Sequence, residues 1–280
     1  MPAITVPQLL ERLTEPPLAL FDCRFLLEAP DTCQQEYLQA HIPGAVYVHL
    51  DHDMSAPMTG RNGRHPLPEP RAIAELFERL GISNDSDVVV YDSAGGGLAA
   101  SRLWWMLRYL GHDRVSILDG GWPAWVATGG PVRADQERGA PAEFVANLRP
   151  EIARDIDQTA AAAASSGWRV VDVRAATRFR GDEEPIDPVA GHIPGARNRY
   201  WMDSLTPDGH LRPIDQLRAE FDALLGGVPP ERSIFYCGSG VTSAFTVFVM
   251  EHAGMSGAKI FPGSWSEWSS DPARPVATGG

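Results

Sequence analysis

Short runs of β-branched and aromatic residues alternate along the chain with stretches whose apolar positions recur at helical spacing. Residues 18–21, 88–91 and 115–118 predict buried strands, and residues 170–173, 233–236 and 259–261 predict a second set. Between them, residues 69–80, 99–110, 214–225 and 243–253 have the length and apolar period of helices. Strands and helices that alternate in this way predict an α/β fold, a parallel sheet flanked by helices on both faces.

The pattern is written twice. His41-Ile42-Pro43-Gly44-Ala45 recurs as His192-Ile193-Pro194-Gly195-Ala196, and the segments around the two copies match in order. Asp22-Cys23-Arg24 answers to Asp172-Val173-Arg174, and the strand ending at Asp92 answers to the strand ending at Cys237. Gly121-Trp122-Pro123-Ala124-Trp125 answers to Ser264-Trp265-Ser266-Glu267-Trp268. A length of 280 residues suits two domains of about 100–200 residues each. The expected division is 1–132, a linker at 133–152 rich in Arg, Glu, Gly and Pro, and 153–280.

Charge narrows the partners. With 24 Lys+Arg against 36 Asp+Glu and a formal net charge of −12, the chain lacks the basic face that nucleic acid requires. A small anionic ligand would need a local cluster of arginines to overcome the average field. No run approaches the roughly 18 apolar residues of a membrane span, and the first residues do not read as a signal peptide. Three cysteines, Cys23, Cys33 and Cys237, make neither a disulfide framework nor a metal site. A cytoplasmic monomer without metal or cofactor is expected, with Cys23 and Cys33 as reduced thiols. Asp51-His52-Asp53 is not read as a metal site, because three adjacent side chains on an extended segment cannot converge on one ion.

The two halves differ where chemistry would sit. Where the first half has Asp92, expected to cap the following helix, the second has Cys237, followed by Gly238-Ser239-Gly240-Val241-Thr242-Ser243. A strand would deliver the cysteine to a Gly-containing turn that opens a helix. Backbone N–H groups and the positive end of the helix dipole would then favour a thiolate. Arg178 and Arg180, in Arg178-Phe179-Arg180-Gly181, supply the cationic cluster that the acidic chain otherwise lacks.

The tandem HIPGA segments, the D-x-R strand ends, the Cys237 to Thr242 loop and the closing Gly263-Ser264-Trp265-Ser266-Glu267-Trp268 resemble the two-domain rhodanese family of sulfurtransferases over nearly the whole chain. The resemblance implies two tandem rhodanese-like domains, the C-terminal one catalytic through Cys237. A Cys-Gly-Ser-Gly-Val-Thr loop is similar to the 3-mercaptopyruvate sulfurtransferase branch, and it implies Arg178 as a substrate arginine and His41 with an aspartate acting on Ser239. Asp31 is the candidate aspartate, with Glu36 as its rival. Because His192 occupies the same motif in the other half, the motif also reads as a structural turn. The family's second arginine, in a Glu-Pro-Glu-Pro-Arg stretch, is absent, for this chain reads Glu184-Pro185-Ile186-Asp187. Arg180 is the candidate substitute, or else a solvated surface charge.

Chemistry favours the same donor. Positions 238–243 carry no cation, which a departing sulfite dianion would want, whereas Ser239 offers a hydroxyl to the enolate left by mercaptopyruvate. The expected reaction moves sulfur from an anionic donor through a Cys237 persulfide, held by Gly238, Gly240, Val241, Thr242 and Ser243, to cyanide or to a thiol such as a thioredoxin-like dithiol. Thiosulfate:cyanide transfer is the first alternative, and a non-catalytic sulfur-carrier or protein-interaction module the second. A phosphatase would need a longer loop ending in arginine, and here Thr242-Ser243 follow.

Overall fold

The computed structural model describes residues 2–13 and 18–280. The chain forms two compact units, one of residues 1–56, 68–149 and 205–211, the other of residues 57–67, 150–204 and 212–280. This differs from a cut at 132 and 153 in three places. Residues 133–149 pack on the first unit: Asn147 and Arg149 donate backbone N–H groups to Leu110 and Tyr109, and Phe144 meets Phe77 edge-on at 5.1 Å between ring centroids. Residues 57–67 group with the second unit and residues 205–211 with the first. These excursions carry no hydrophobic period, so sequence patterning does not assign them to either half.

In the first unit the elements are β1 (Ala3–Ile4), α1 (Val6–Arg12), β2 (Leu18–Asp22), α2 (Thr32–Gln39), β3 (Ala45–Tyr47), α3 (Pro70–Leu80), β4 (Asp87–Tyr91), α4 (Ala99–Tyr109), β5 (Val115–Leu118) and α5 (Gly121–Ala127). All the strands are parallel, in the order β1-β5-β4-β2-β3. The second unit holds α6 (Ile156–Ala163), β6 (Arg169–Asp172), α7 (Ala176–Arg180), β7 (Arg197–Asn198), α8 (Ile214–Leu225), β8 (Ser233–Tyr236), α9 (Thr242–His252), β9 (Lys259–Ile260) and α10 (Ser264–Trp268). Its parallel order is β7-β6-β8-β9. Every strand and helix expected from the pattern is present within one or two residues. The edge strands β1, β3 and β7 and the short helices α1, α2, α5, α6, α7 and α10 have too few residues to show a period. No helix among the described residues is long and apolar enough to cross a membrane.

Each sheet carries the same buried clamp. Asp22 at the end of β2 pairs with Arg24 at 2.7 Å, and Arg24 Nη2 donates to the Ala40 carbonyl beside His41. In the second unit Asp172 pairs with Arg174 at 2.6 Å, and Arg174 Nη2 donates to the Gly191 carbonyl beside His192. Each guanidinium lies over an indole, Arg24 on Trp122 at 4.5 Å and Arg174 on Trp265 at 4.7 Å. Tyr91 and Tyr236, opposite the two aspartates in register, accept the amide N–H of Ile42 and Ile193 respectively. The D-x-R strand end therefore fastens the HIPGA turn to the sheet in both halves.

Burying this ion pair is tolerable only while both partners remain. Asp22→Ala, which leaves the Arg24 guanidinium buried without its carboxylate, should cost about 3–5 kcal/mol. Urea unfolding of the variant against the parent chain checks this, and a loss below about 1 kcal/mol would show that the clamp is dispensable.

Candidate active site

Cys237 follows β8 directly and is buried, 3 % exposed. The chain turns through Gly238 to Val241 and enters α9 at Thr242, so the sulfur faces the amino end of an 11-residue helix. Gly240 N–H donates to Cys237 Sγ at 3.2 Å, and the hydroxyls of Ser243 and Ser264 lie 3.7 and 3.9 Å from it. Burial pushes the thiol up. Hydrogen bonds from the Thr242 side chain, the Ser239 and Ser243 amides and the Ser243 hydroxyl more than offset it, so the pKa is held below the ordinary thiol value. The other two cysteines go the opposite way. Burial, then Asp22, lifts Cys23 well above the usual range, and burial, then Glu36, raises Cys33 to about 11.

Backbone geometry fixes the cradle. Gly240 has φ +78°, and a Cβ there would lie 2.1 Å from the Pro262 carbonyl oxygen, so only glycine fits. Behind the cysteine, Ser264 adopts φ 54°, a left-handed conformation uncommon for a non-glycine residue. Its hydroxyl oxygen accepts the Cys237 N–H at 3.1 Å and donates to Phe261 O at 2.9 Å. In the first unit the corresponding position is Gly121 (φ 56°), and Asp92 stands for the cysteine. The Asp92 carboxylate accepts N–H bonds from Ala94, Gly96, Leu98 and Ala100 at 2.8–3.2 Å. Both halves thus build an anion cradle at the same place. In the first it is filled by the Asp92 side chain, whose pKa burial raises despite the four amides, and in the second by the Cys237 sulfur, whose pKa is lowered.

Ser239, also buried, has its Oγ 2.7 Å from Nδ1 of His65. His65 is the imidazole at the loop hydroxyl, a place expected for His41. His41 is buried in the first unit, its Nδ1 2.7 Å from the Tyr37 carbonyl and its ring stacked on Tyr37 at 4.1 Å. His192 is held alike, 2.7 Å from the Phe179 carbonyl and stacked on Phe179 at 3.7 Å. The matching Nδ1 and stacking contacts in both halves fit a role in closing the turn, while the buried His41 Nε2 has no hydrogen-bond partner among the described residues. Asp31 does not accompany His41 either. It is exposed, 3.9 Å from His49 Nε2, and the rival Glu36 is an exposed residue of α2. His49, His52 and Asp31 lie within ligand distance of one another. His49 Nδ1 accepts amide hydrogens from Asp51 and His52, however, which places its proton on Nε2 and removes the lone pair a metal would take there.

The cations are arranged around Asp187. Arg178 donates from Nε and Nη2 to Glu184 at 3.1 and 2.6 Å and from Nη2 to Asp187 at 3.0 Å, and both its amino groups would lie 3.9–4.0 Å from a Cβ on Gly238. Glu184 is desolvated, which raises its pKa, yet the Arg178 guanidinium and the Asp187 and Ile186 amides hold it below the ordinary carboxylate value. Arg180 instead pairs with Asp182 at the surface. A second guanidinium comes from Arg64, whose Nη1 donates to Asp187 at 2.7 Å. Arg64 and His65 are not legible as site residues in the sequence, because residues 57–67 have no period and no matching segment in the other half. The one signal was Gly63-Arg64-His65-Pro66 itself, a cation and an imidazole between two breakers.

A rhodanese-like domain is matched at residues 5–128 and again at 155–271, and the chain belongs to the rhodanese family as two consecutive copies of that domain. A Pseudomonas aeruginosa protein named "Probable 3-mercaptopyruvate sulfurtransferase" is 44% identical over 278 residues, which cover 99% of this chain and 98% of that one. Bovine (Bos taurus) thiosulfate sulfurtransferase is 34% identical over 259 residues, covering 90% and 85%. The crystal structure of SseA, a 3-mercaptopyruvate sulfotransferase of Escherichia coli, aligns with TM-score 0.82 at 31% identity, covering 95% of this chain and 100% of that one.

The depressed thiol pKa has a direct consequence. Alkylation of Cys237 by iodoacetamide should rise with pH to a midpoint below about 8.5, the value of an ordinary thiol. Removing a hydrogen bond to the thiolate destabilises the charged form, so Ser243→Ala should move the midpoint upward. A midpoint at or above 8.5 in the parent chain would contradict the cradle.

Proposed function

We propose that the chain is a sulfurtransferase that takes sulfur from 3-mercaptopyruvate. The observation that carries the reading is a buried cysteine with a lowered pKa in a loop of amides and hydroxyls, beside a serine–histidine pair. The Cys237 thiolate attacks the donor sulfur, and the carbon–sulfur bond breaks with its electron pair leaving on carbon as the enolate of pyruvate. The donor's thiol proton ends on the enolate carbon, and the sulfur stays on Cys237 as a persulfide. Ser239, hydrogen-bonded to His65, donates to the enolate oxygen as charge develops there. Arg178 meets the donor carboxylate from the Gly238 side. The loop amides that favour a thiolate also favour the terminal sulfur of the persulfide, which carries the same charge.

In the second half-reaction an acceptor thiolate or cyanide attacks that terminal sulfur and restores the Cys237 thiolate, a double displacement. A thioredoxin-like dithiol fits the first kind of acceptor. All three cysteines are free, which suits a reducing cytoplasm. The names of relatives from Pseudomonas aeruginosa and Escherichia coli support this donor.

Incubation with mercaptopyruvate and a thiol should release pyruvate over many turnovers, and Cys237→Ser should abolish the release. Ser239→Ala should lower kcat/KM for mercaptopyruvate by roughly a hundred- to a thousandfold, the usual effect of losing one oxyanion donor. Release of no more than one pyruvate per chain would instead indicate a sulfur carrier.

A further inference from the structure

The Ser239–His65 pair depends on two pieces of chain staying in register, the reactive loop and residues 57–67. Hydroxyl and imidazole act on each other at hydrogen-bond distance, here 2.7 Å. His65 sits on a segment that forms neither helix nor strand, so no ladder of backbone bonds fixes it. Two side-chain ties hold the segment loosely. Arg64 reaches Asp187 through a long flexible stem, and Ser270 Oγ meets the Arg61 carbonyl at 3.5 Å, the far end of the hydrogen-bond range.

Ser266, in the middle of α10, touches both pieces. Its backbone N–H donates to the Gly238 carbonyl at 2.9 Å, and its hydroxyl oxygen accepts the Arg64 N–H at 3.0 Å. Gly238 precedes Ser239 and Arg64 precedes His65, so one residue grips the backbone immediately before each member of the pair. The hydroxyl spends its own hydrogen on the Gly263 carbonyl at 3.2 Å, which leaves its lone pairs for the Arg64 amide. Gly63 permits the approach: its φ is +84°, and a Cβ there would lie 2.9 Å from the Gly263 carbonyl oxygen and 3.1 Å from Ser266 Oγ. The corresponding residue of the first half is Pro123. Proline has neither an amide hydrogen nor a hydroxyl, so the half without the cysteine cannot build this bridge.

We propose that Ser266 is a positioning residue for sulfur transfer from mercaptopyruvate, its hydroxyl setting the His65 ring on Ser239 through the Arg64 amide. This rests on reading Ser239 as the donor to the enolate oxygen. Ser266 touches no reacting atom. Without its hydroxyl the loop keeps its bond to the Ser266 amide, while His65 loses its alignment and Ser239 its orientation as charge develops on the enolate.

Ser266→Ala and Ser266→Thr, and Ser266→Ala combined with Ser239→Ala, test the assignment. The first half-reaction is followed as a single turnover, pyruvate release without an acceptor. In Ser266→Ala its rate at saturating mercaptopyruvate should fall about tenfold, with the half-saturating concentration within about twofold of the parent, because the lost alignment matters as the enolate forms. Ser266→Thr keeps the hydroxyl and should stay within about threefold of the parent rate. On top of Ser239→Ala, Ser266→Ala should cost nothing more, since its effect passes through that serine. Proton–nitrogen NMR of the His65 ring reads the bond to Ser239 without turnover. Ser266→Ala should move the Nδ1 resonance in the direction that Ser239→Ala moves it, and should leave the iodoacetamide midpoint of Cys237 unchanged. An unchanged single-turnover rate, an equal loss in Ser266→Thr, a further loss on top of Ser239→Ala, an unmoved His65 resonance or a displaced Cys237 midpoint would each overturn the assignment. A parent chain that releases no pyruvate would sink the proposed function instead, and the His65 resonance would then decide whether Ser266 holds the imidazole on Ser239.

Discussion

Taking a thiol out of water ordinarily raises its pKa, because the charged form loses its hydration. At Cys237 the opposite holds, and the rest of the second unit is arranged around that reversal. The β8 strand ends at the cysteine, Gly240 allows the curl, and α9 begins where its first N–H groups and the Thr242 and Ser243 hydroxyls meet the sulfur. Ser264 accepts a left-handed backbone to brace the same residue. A site that stabilises sulfur as an anion stabilises a thiolate and a persulfide alike, so one geometry serves both states of the proposed cycle. The first unit has a ring of four amides at the same place, around Asp92, but there burial outweighs the hydrogen bonds and raises the pKa, so the reversal belongs to the Cys237 loop alone.

Local charge differs from the charge of the whole. The chain carries −12, yet around the loop Asp172, Glu184 and Asp187 are matched by Arg174, Arg178 and Arg64. The cluster is balanced overall, in contrast to the acidic chain as a whole. The groups nearest a Cβ on Gly238 would be amino groups of Arg64 and Arg178. Exposed charges elsewhere are screened beyond about 8–10 Å at ordinary salt, so the near groups set the potential a small donor meets.

Much of this was readable from residues alone, and the boundary has a physical cause. The long central strands and helices follow from apolar period, and the duplication exposed Cys237 by contrast with Asp92. Cys237, Ser239 and Arg178 were found because each lies in a stretch with a local signature. His65 and Arg64 lie in an aperiodic excursion, residues 57–67, whose membership in the second unit depends on tertiary packing. The HIPGA histidines are conspicuous in sequence, but the imidazole bonded to Ser239 is His65, and His41 is stacked and bonded at Nδ1 much as its twin His192 is. Arg180 shares a helix with Arg178 but points to Asp182 at the surface, a difference that the two-residue spacing does not reveal.

The central claim is that the Cys237 cradle holds sulfur as a persulfide. Peptide mass spectrometry of the chain after brief exposure to mercaptopyruvate without an acceptor tests it most directly. The account predicts the mass of one added sulfur atom on the peptide containing Cys237 and none on those containing Cys23 or Cys33. Added sulfur on either of those thiols, or none at Cys237, would contradict it.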